Sequence, residues 1–202
     1  MRIMHIGGLV VALALVSSPS SAQHSTMDII LDFRHDAETE ALIVNDGVMG
    51  GRSSSRIDLD SADFAVFEGT LSLENNGGFA SVRLPIPAGT MDTASHLVLR
   101  VRGDGRRYQA RLRPGRRYDG VAWAAGFGTD AGEWVTLELP LEDFEPSFRG
   151  YRPRGVGPLD PADVGQVGIM LTDKREGPFR LEIEWVGVRR GTTDVAGVGG
   201  AG

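Results

Sequence analysis

Between Arg100 and Arg117 the chain carries eight arginines against one acidic residue, Asp104. A guanidinium forms forked, charge-assisted bonds to a carboxylate or phosphate, so such a cluster is a candidate anion-binding surface. Strand alternation sorts it. Leu97, Leu99 and Val101 point one way and Arg100 and Arg102 the other; Tyr108, Ala110 and Leu112 then oppose Arg107, Gln109, Arg111 and Arg113. If these two segments pair through Gly103-Asp104-Gly105, then Arg100, Arg102, Arg111 and Arg113 share one face that fits a carboxylate, a phosphate or an acidic glycan. The competing reading is a solvated face whose arginines pair with local Asp and Glu. Aromatic residues supply a second possibility: Trp123 and Trp134 with Tyr108 and Tyr118 offer π faces for a sugar ring. Yet Trp123 shares its face with Val121, Ala125 and Phe127, Trp134 opens an apolar strand, and Trp185 sits in the stripe Phe179, Leu181, Ile183, so core packing competes for all three.

Other chemistries find little support. After residue 22 the histidines are His24, His35 and His96, none at paired ligand spacing. Asp58, Asp60 and Asp63 offer oxygens for calcium, but alternation places Asp58 and Asp60 on one solvated face. No metal and no cofactor is expected. There is no Gly-x-Ser-x-Gly elbow, Gly103-Asp104-Gly105 is too short for a phosphate loop, and no carboxylate pair stands out for glycoside hydrolysis. The reading is therefore not an enzyme. A net charge of −6 argues against nucleic-acid partners.

The elements that must position these residues are short β-like runs: Ile29 to Phe33, Ser54 to Leu59, Phe64 to Phe67, Thr70 to Leu73 after a turn at Gly69, and Phe79 to Leu84. Further along come His96 to Arg102, Tyr108 to Leu112, Val121 to Phe127, Trp134 to Leu139, Val167 to Thr172 and Phe179 to Val188. Alternation within them predicts antiparallel sheets with one wet face, in an all-β sandwich or barrel of jelly-roll type. The chain contains no cysteine, and its 202 residues suit one domain. Residues 1–22 read as a signal peptide cut after Ala22, with no membrane insertion after cleavage, which predicts an exported, periplasmic or secreted protein. The domain is expected over 29–188, followed by a disordered Gly-rich tail over 191–202.

One run identifies a family better than a chemistry: Asn45-Asp46-Gly47-Val48-Met49-Gly50-Gly51 with Ser53. It is followed by Phe67-Glu68-Gly69, Leu71-Ser72-Leu73, Gly77-Gly78-Phe79-Ala80-Ser81, and Gly103-Asp104-Gly105 with Tyr108. The series continues through Trp134, Leu139-Pro140, Phe144, Arg149-Gly150, Gly168, Asp173 and Gly177-Pro178-Phe179. In order and spacing the chain resembles the complex I intermediate-associated protein 30 family over about Ile29 to Val188. The resemblance implies an antiparallel, galactose-binding-like jelly-roll β-sandwich, a fold shared with carbohydrate-binding modules. It also implies a non-enzymatic assembly or chaperone role with a protein partner, such as a membrane complex. Among its polar matches Asp46, Arg149 and Asp173 are the candidates for a functional surface. Gly50, Gly51, Gly77 and Gly78 also suit turns that need positive φ or close backbone approach, and Arg149 and Asp173 have a simpler reading as a pair across loops. The alternative function is a carbohydrate-binding module using Trp123, Tyr108 and the arginine face, with a glycan as partner.

Overall fold

In the computed structural model, the described residues are 26–34, 39–59, 63–115, 117 and 119–191. The expected signal peptide and tail lie outside them, apart from Gly191. Twelve strands are formed: β1 Met27–Asp32, β2 Leu42–Asn45, β3 Ser54–Asp58, β4 Ala65–Leu71, β5 Ala80–Pro85, β6 Ala94–Arg102, β7 Arg107–Pro114, β8 Ala122–Gly128, β9 Trp134–Pro140, β10 Glu145–Ser147, β11 Val164–Leu171 and β12 Gly177–Arg190. Four single 3-10 turns complete the regular structure of the described residues.

The strands form two antiparallel sheets, as the alternation required. The first runs β3-β4-β12-β6-β9, with β1 also paired to β12; the second runs β10-β8-β7-β11-β5-β2. Alternate residues of each sheet face inward. Phe67, Leu71, Leu97, Leu99, Leu181 and Ile183 from the first sheet and Val82, Leu84, Leu112, Ile169 and Leu171 from the second are all buried in one core. Burial on this scale stabilises by roughly 25 cal/mol per Å² of apolar surface removed from water.

Three local expectations are corrected. Gly69 does not turn the chain but sits inside β4, where its missing Cβ lets the β3 backbone at Ser54 and Ser55 approach. β2 has no counterpart among the predicted strands. Most consequentially, β6 and β7 are sequential but not partners: β6 pairs with β12 and β9, while β7 pairs with β11 and β8. The Gly103–Gly105 turn carries the chain from one sheet to the other, which places the two halves of the arginine cluster on opposite outer faces.

Candidate functional site

The Asn-Asp-Gly-Val-Met-Gly-Gly run forms a cage around one carboxylate. Asp46 follows β2 and opens a 3-10 turn over Asp46–Met49. Its side chain is fully buried. Oδ1 accepts from the Ser53 amide at 2.9 Å. Oδ2 accepts from the Ser53 hydroxyl at 2.5 Å, the Gly78 amide at 2.7 Å and the Phe79 amide at 3.2 Å. The glycines divide into two roles. Gly50 (φ +88°) and Gly78 (φ +115°) adopt backbone that side chains disfavour, whereas Gly51 and Gly77 press against the carboxylate, a Cβ on Gly77 falling 2.6 Å from Oδ2. Burial pushes the Asp46 carboxyl upward, but the bonds from Ser53, Gly78 and Phe79 outweigh it and hold the group below the usual carboxylate range. Asp46 is thus a knot joining two loops, with no face left for a ligand.

What the knot holds outward is apolar. Val48 and Met49, at 65% and 58% exposure, stand at the tip of the caged turn. The tip is a feature sequence reasoning passed over, although two apolar residues enclosed by turn glycines have no core to enter.

A second polar knot lies at the Gly103–Gly105 crossover. Arg106, 5% exposed, donates from Nε and Nη2 to both oxygens of Asp173 (3.0 and 2.7 Å) and from its remaining N–H groups to the carbonyls of Arg175, Gly177 and Pro178. Asp104 accepts from the Tyr108 hydroxyl at 3.0 Å and from the amides of Arg106 and Arg180. Burial pushes the Asp173 carboxyl up, but Arg106 and the Arg175 amide bring it below the usual range. Asp173 therefore pairs with Arg106 and not with Arg149. Arg149 pairs with Asp119 at 3.1 Å in the open, both more than 60% exposed, and lies over the Phe148 ring.

Tyr108 and Trp123, read from the sequence as sugar-stacking candidates, are buried at 1% and 8% exposure. Tyr108 stacks on Phe127 inside the core, and the Trp123 indole donates to the Gly157 carbonyl at 3.3 Å. This corrects the stacking platform: alternation turns both rings inward. Trp134 and Trp185 go the other way. Trp134 lies opposite Arg102 in the outward row of the first sheet, with Arg100 and Arg102 over its ring. An irregularity in β12 between Ile183 and Trp185 brings Trp185 opposite Arg100 and out of the inward stripe.

Arg100 and Arg102 occupy a ladder of ion pairs on the outer face of the first sheet. Arg56 meets Glu68, Arg180 meets Glu68 and Glu182, Arg102 meets Glu182, and Arg100 meets Glu184. A depression over β3, β4 and β12 is lined by Arg56, Glu68 and Arg180 of this ladder, which satisfy one another, and by Asp104. Arg111 and Arg113 lie on the outer face of the second sheet, in a different setting. Arg111 is 8% exposed and touches only neutral groups among the contacts described, Gln109 Oε1 and Met170 Sδ, both at 3.3 Å. Burial and neighbouring Arg83 lower its pKa to about 10, and burial with Arg83 and Arg111 does the same for Arg113. Among the described residues no group of three or more His, Cys, Asp or Glu is placed to hold a metal ion.

A two-sheet antiparallel sandwich of this kind is the architecture of carbohydrate-binding modules. A family 11 module from Clostridium thermocellum, solved with a mixed-linked tetrasaccharide, superposes with a TM-score of 0.60 at 16% identity, over 80% of this chain and 94% of that one. The likeness defines the class as a galactose-binding-like jelly roll and, at that identity, shows the fold alone. The family described as Complex I intermediate-associated protein 30 matches residues 31–183, and this chain belongs to it. The mitochondrial Complex I intermediate-associated protein 30 of Mus musculus is 30% identical over 182 residues, covering 79% of this chain and 55% of that protein. The Drosophila melanogaster protein of the same name is 26% identical, over 80% and 62%. A probable counterpart in Caenorhabditis elegans is 35% identical over 106 residues, 50% of this chain and 31% of that one. The chain thus spans between 31% and 62% of these relatives' length. All three are named mitochondrial, which overturns the expectation of an exported, periplasmic or secreted protein and points to a mitochondrial setting instead.

Proposed function

We propose that the protein is a non-catalytic accessory factor that docks on a protein partner, a subunit or subcomplex of a respiratory complex I assembly intermediate. Family membership supplies the partner class, since the relatives are named for association with complex I intermediates. The observation that carries the docking reading is the caged turn. Val48 and Met49 are exposed apolar side chains on a 3-10 turn whose first residue, Asp46, is anchored by four hydrogen bonds from Ser53, Gly78 and Phe79 to its buried carboxylate. Rigid apolar anchors are what protein interfaces use, because little conformational freedom remains to be lost on binding. Met adds a deformable contact that accommodates an irregular partner surface. The two buried polar knots serve to hold the scaffold.

The test is native electrophoresis of the purified full chain mixed with solubilised complex I assembly intermediates. Co-migration with an intermediate, lost in a Val48→Ser/Met49→Ser variant of unchanged stability, supports the reading. No co-migration, or co-migration indifferent to the double substitution, overturns it.

A further inference from the structure

The outer face of the second sheet contains two buried polar groups that the fold itself leaves unsatisfied. Among the described residues, Arg111 Nε and Gln166 Oε1 have no hydrogen-bond partner, and the two residues are 8% and 7% exposed. Their positions are linked by register. Arg83 of β5, Gly168 of β11 and Arg111 of β7 form one cross-strand row, and Gln166 and Arg113 lie opposite each other in the next. Alternation aims all of these side chains away from the core, since Val82, Leu112, Val167 and Ile169 between them are buried inward. Arg83, Arg111 and Arg113 therefore lie in adjacent cross-strand rows of one sheet face.

This clustering is costly in the free protein. A buried cation without a counter-charge carries its full desolvation penalty, and like charges on adjacent strands repel. The first sheet shows that the cost does not come with arginine itself: Arg56, Arg180, Arg102 and Arg100 each face a glutamate there. On the second sheet the acidic influence described on Arg113 is Asp119, itself exposed and engaged by Arg149, and none is described on Arg111. The neighbouring β8 positions are small. Ala124 lies opposite Arg111 and Gly126 opposite Gln109, so no bulky side chain from that strand shields the guanidinium.

We propose that this face binds an oxyanion, a carboxylate or phosphate carried by a small soluble molecule, with Arg111 as the central donor. Nε and one Nη of Arg111 form the fork, Arg113 adds a second positive donor, and Gln166 is the neutral group whose open acceptor takes a hydroxyl of the same ligand. The site is separate from the Val48–Met49 tip, and its failure leaves the docking proposal standing.

The experiment is isothermal titration of the full chain with inorganic phosphate, galacturonate and neutral galactose at constant ionic strength, with thermal unfolding measured alongside. Saturable binding of phosphate or galacturonate, with galactose inert, is expected. Phosphate alone would assign a phosphorylated ligand, galacturonate alone an acidic sugar. Arg111→Met is expected to weaken binding about tenfold or more, since hydrogen bonds to an ionised group are lost. It is also expected to leave the unliganded protein's melting temperature unchanged or higher, because an uncompensated buried charge is removed. Arg113→Gln should weaken binding with the fold intact, and Arg102→Gln on the opposite sheet should not alter it. Absence of anion binding, equal binding of galactose, or a wild-type affinity in both Arg111→Met and Arg113→Gln overturns the proposal.

Discussion

Replacing Asp46 with Asn keeps the volume of the side chain and removes only its charge and half its acceptor capacity. In the folded protein the carboxylate receives four bonds: Ser53 N–H on Oδ1, and Ser53 O–H, Gly78 N–H and Phe79 N–H on Oδ2. An amide NH2 must occupy one of those two positions. At Oδ2 it confronts two backbone donors and the hydroxyl; at Oδ1 it confronts the Ser53 amide, and the other bonds survive without charge assistance. A bond to an ionised acceptor contributes about 1.5–3 kcal/mol and a buried donor left unmatched costs about 1–3 kcal/mol, so Asp46→Asn should destabilise by about 3–5 kcal/mol. Against a typical domain stability of 5–15 kcal/mol, the loss is large. With a urea slope of about 2 kcal/mol/M the unfolding midpoint should fall by about 2 M. Hydrogen exchange should quicken first at Ser53, Gly78 and Phe79. A midpoint change under about 0.5 M, equivalent to about 1 kcal/mol, would refute the reasoning, because the cage would then contribute no more than an ordinary surface contact.

Three further outcomes are expected. Arg106→Lys should cost about 3–5 kcal/mol in urea unfolding, since an ammonium cannot span both Asp173 oxygens and three carbonyls and leaves part of a buried charged site unpaired. Asp46 and Asp173 are both held below the unfolded carboxylate value, so their stabilisation is complete above that value and disappears as pH falls through their folded pKa values. Urea midpoints measured on descending pH should drop in that acid window, and the difference between wild type and Asp46→Asn should shrink with them. Trp123→Ala should destabilise by about 3–5 kcal/mol as a core truncation while leaving the titrations at the second sheet's outer face unaltered; lost anion binding at full stability would show that the ring serves a ligand.

The parts of the fold legible in the sequence were those set by local pattern. Alternation in Leu97, Leu99 and Val101 and in Tyr108, Ala110 and Leu112 correctly divides inward from outward residues, and the glycines around Val48 do mark a special loop. What alternation cannot encode is which strands become neighbours, because pairing is decided by tertiary contacts between distant segments. Alternation alone therefore puts Arg100 and Arg102 on one face with Arg111 and Arg113, although the Gly103–Gly105 turn sends them to different sheets. The irregularity after Ile183 is a similar case: one slipped residue moves Trp185 to the other face. Gln166 carried no signal at all, since a lone glutamine on a strand is ordinary until its neighbours are known.

The aspartates that mark the family are spent inside the molecule. Asp46 is enclosed by Ser53, Gly51, Gly77 and Gly78, and Asp104 is consumed by Tyr108 and two backbone amides. Asp173 is consumed by Arg106. A motif so fully engaged specifies a rigid sandwich and says little about partners. What the chain can offer another molecule must be sought among groups the scaffold displays without satisfying, and two stand out by different physics. Val48 and Met49 leave apolar surface in water, which a protein partner would cover. Arg111 and Gln166 keep polar atoms out of water without a partner among the described residues, which a small anion carrying a hydroxyl would complete. Because one deficit is hydrophobic and the other electrostatic, raised salt should weaken the second interaction while sparing the first.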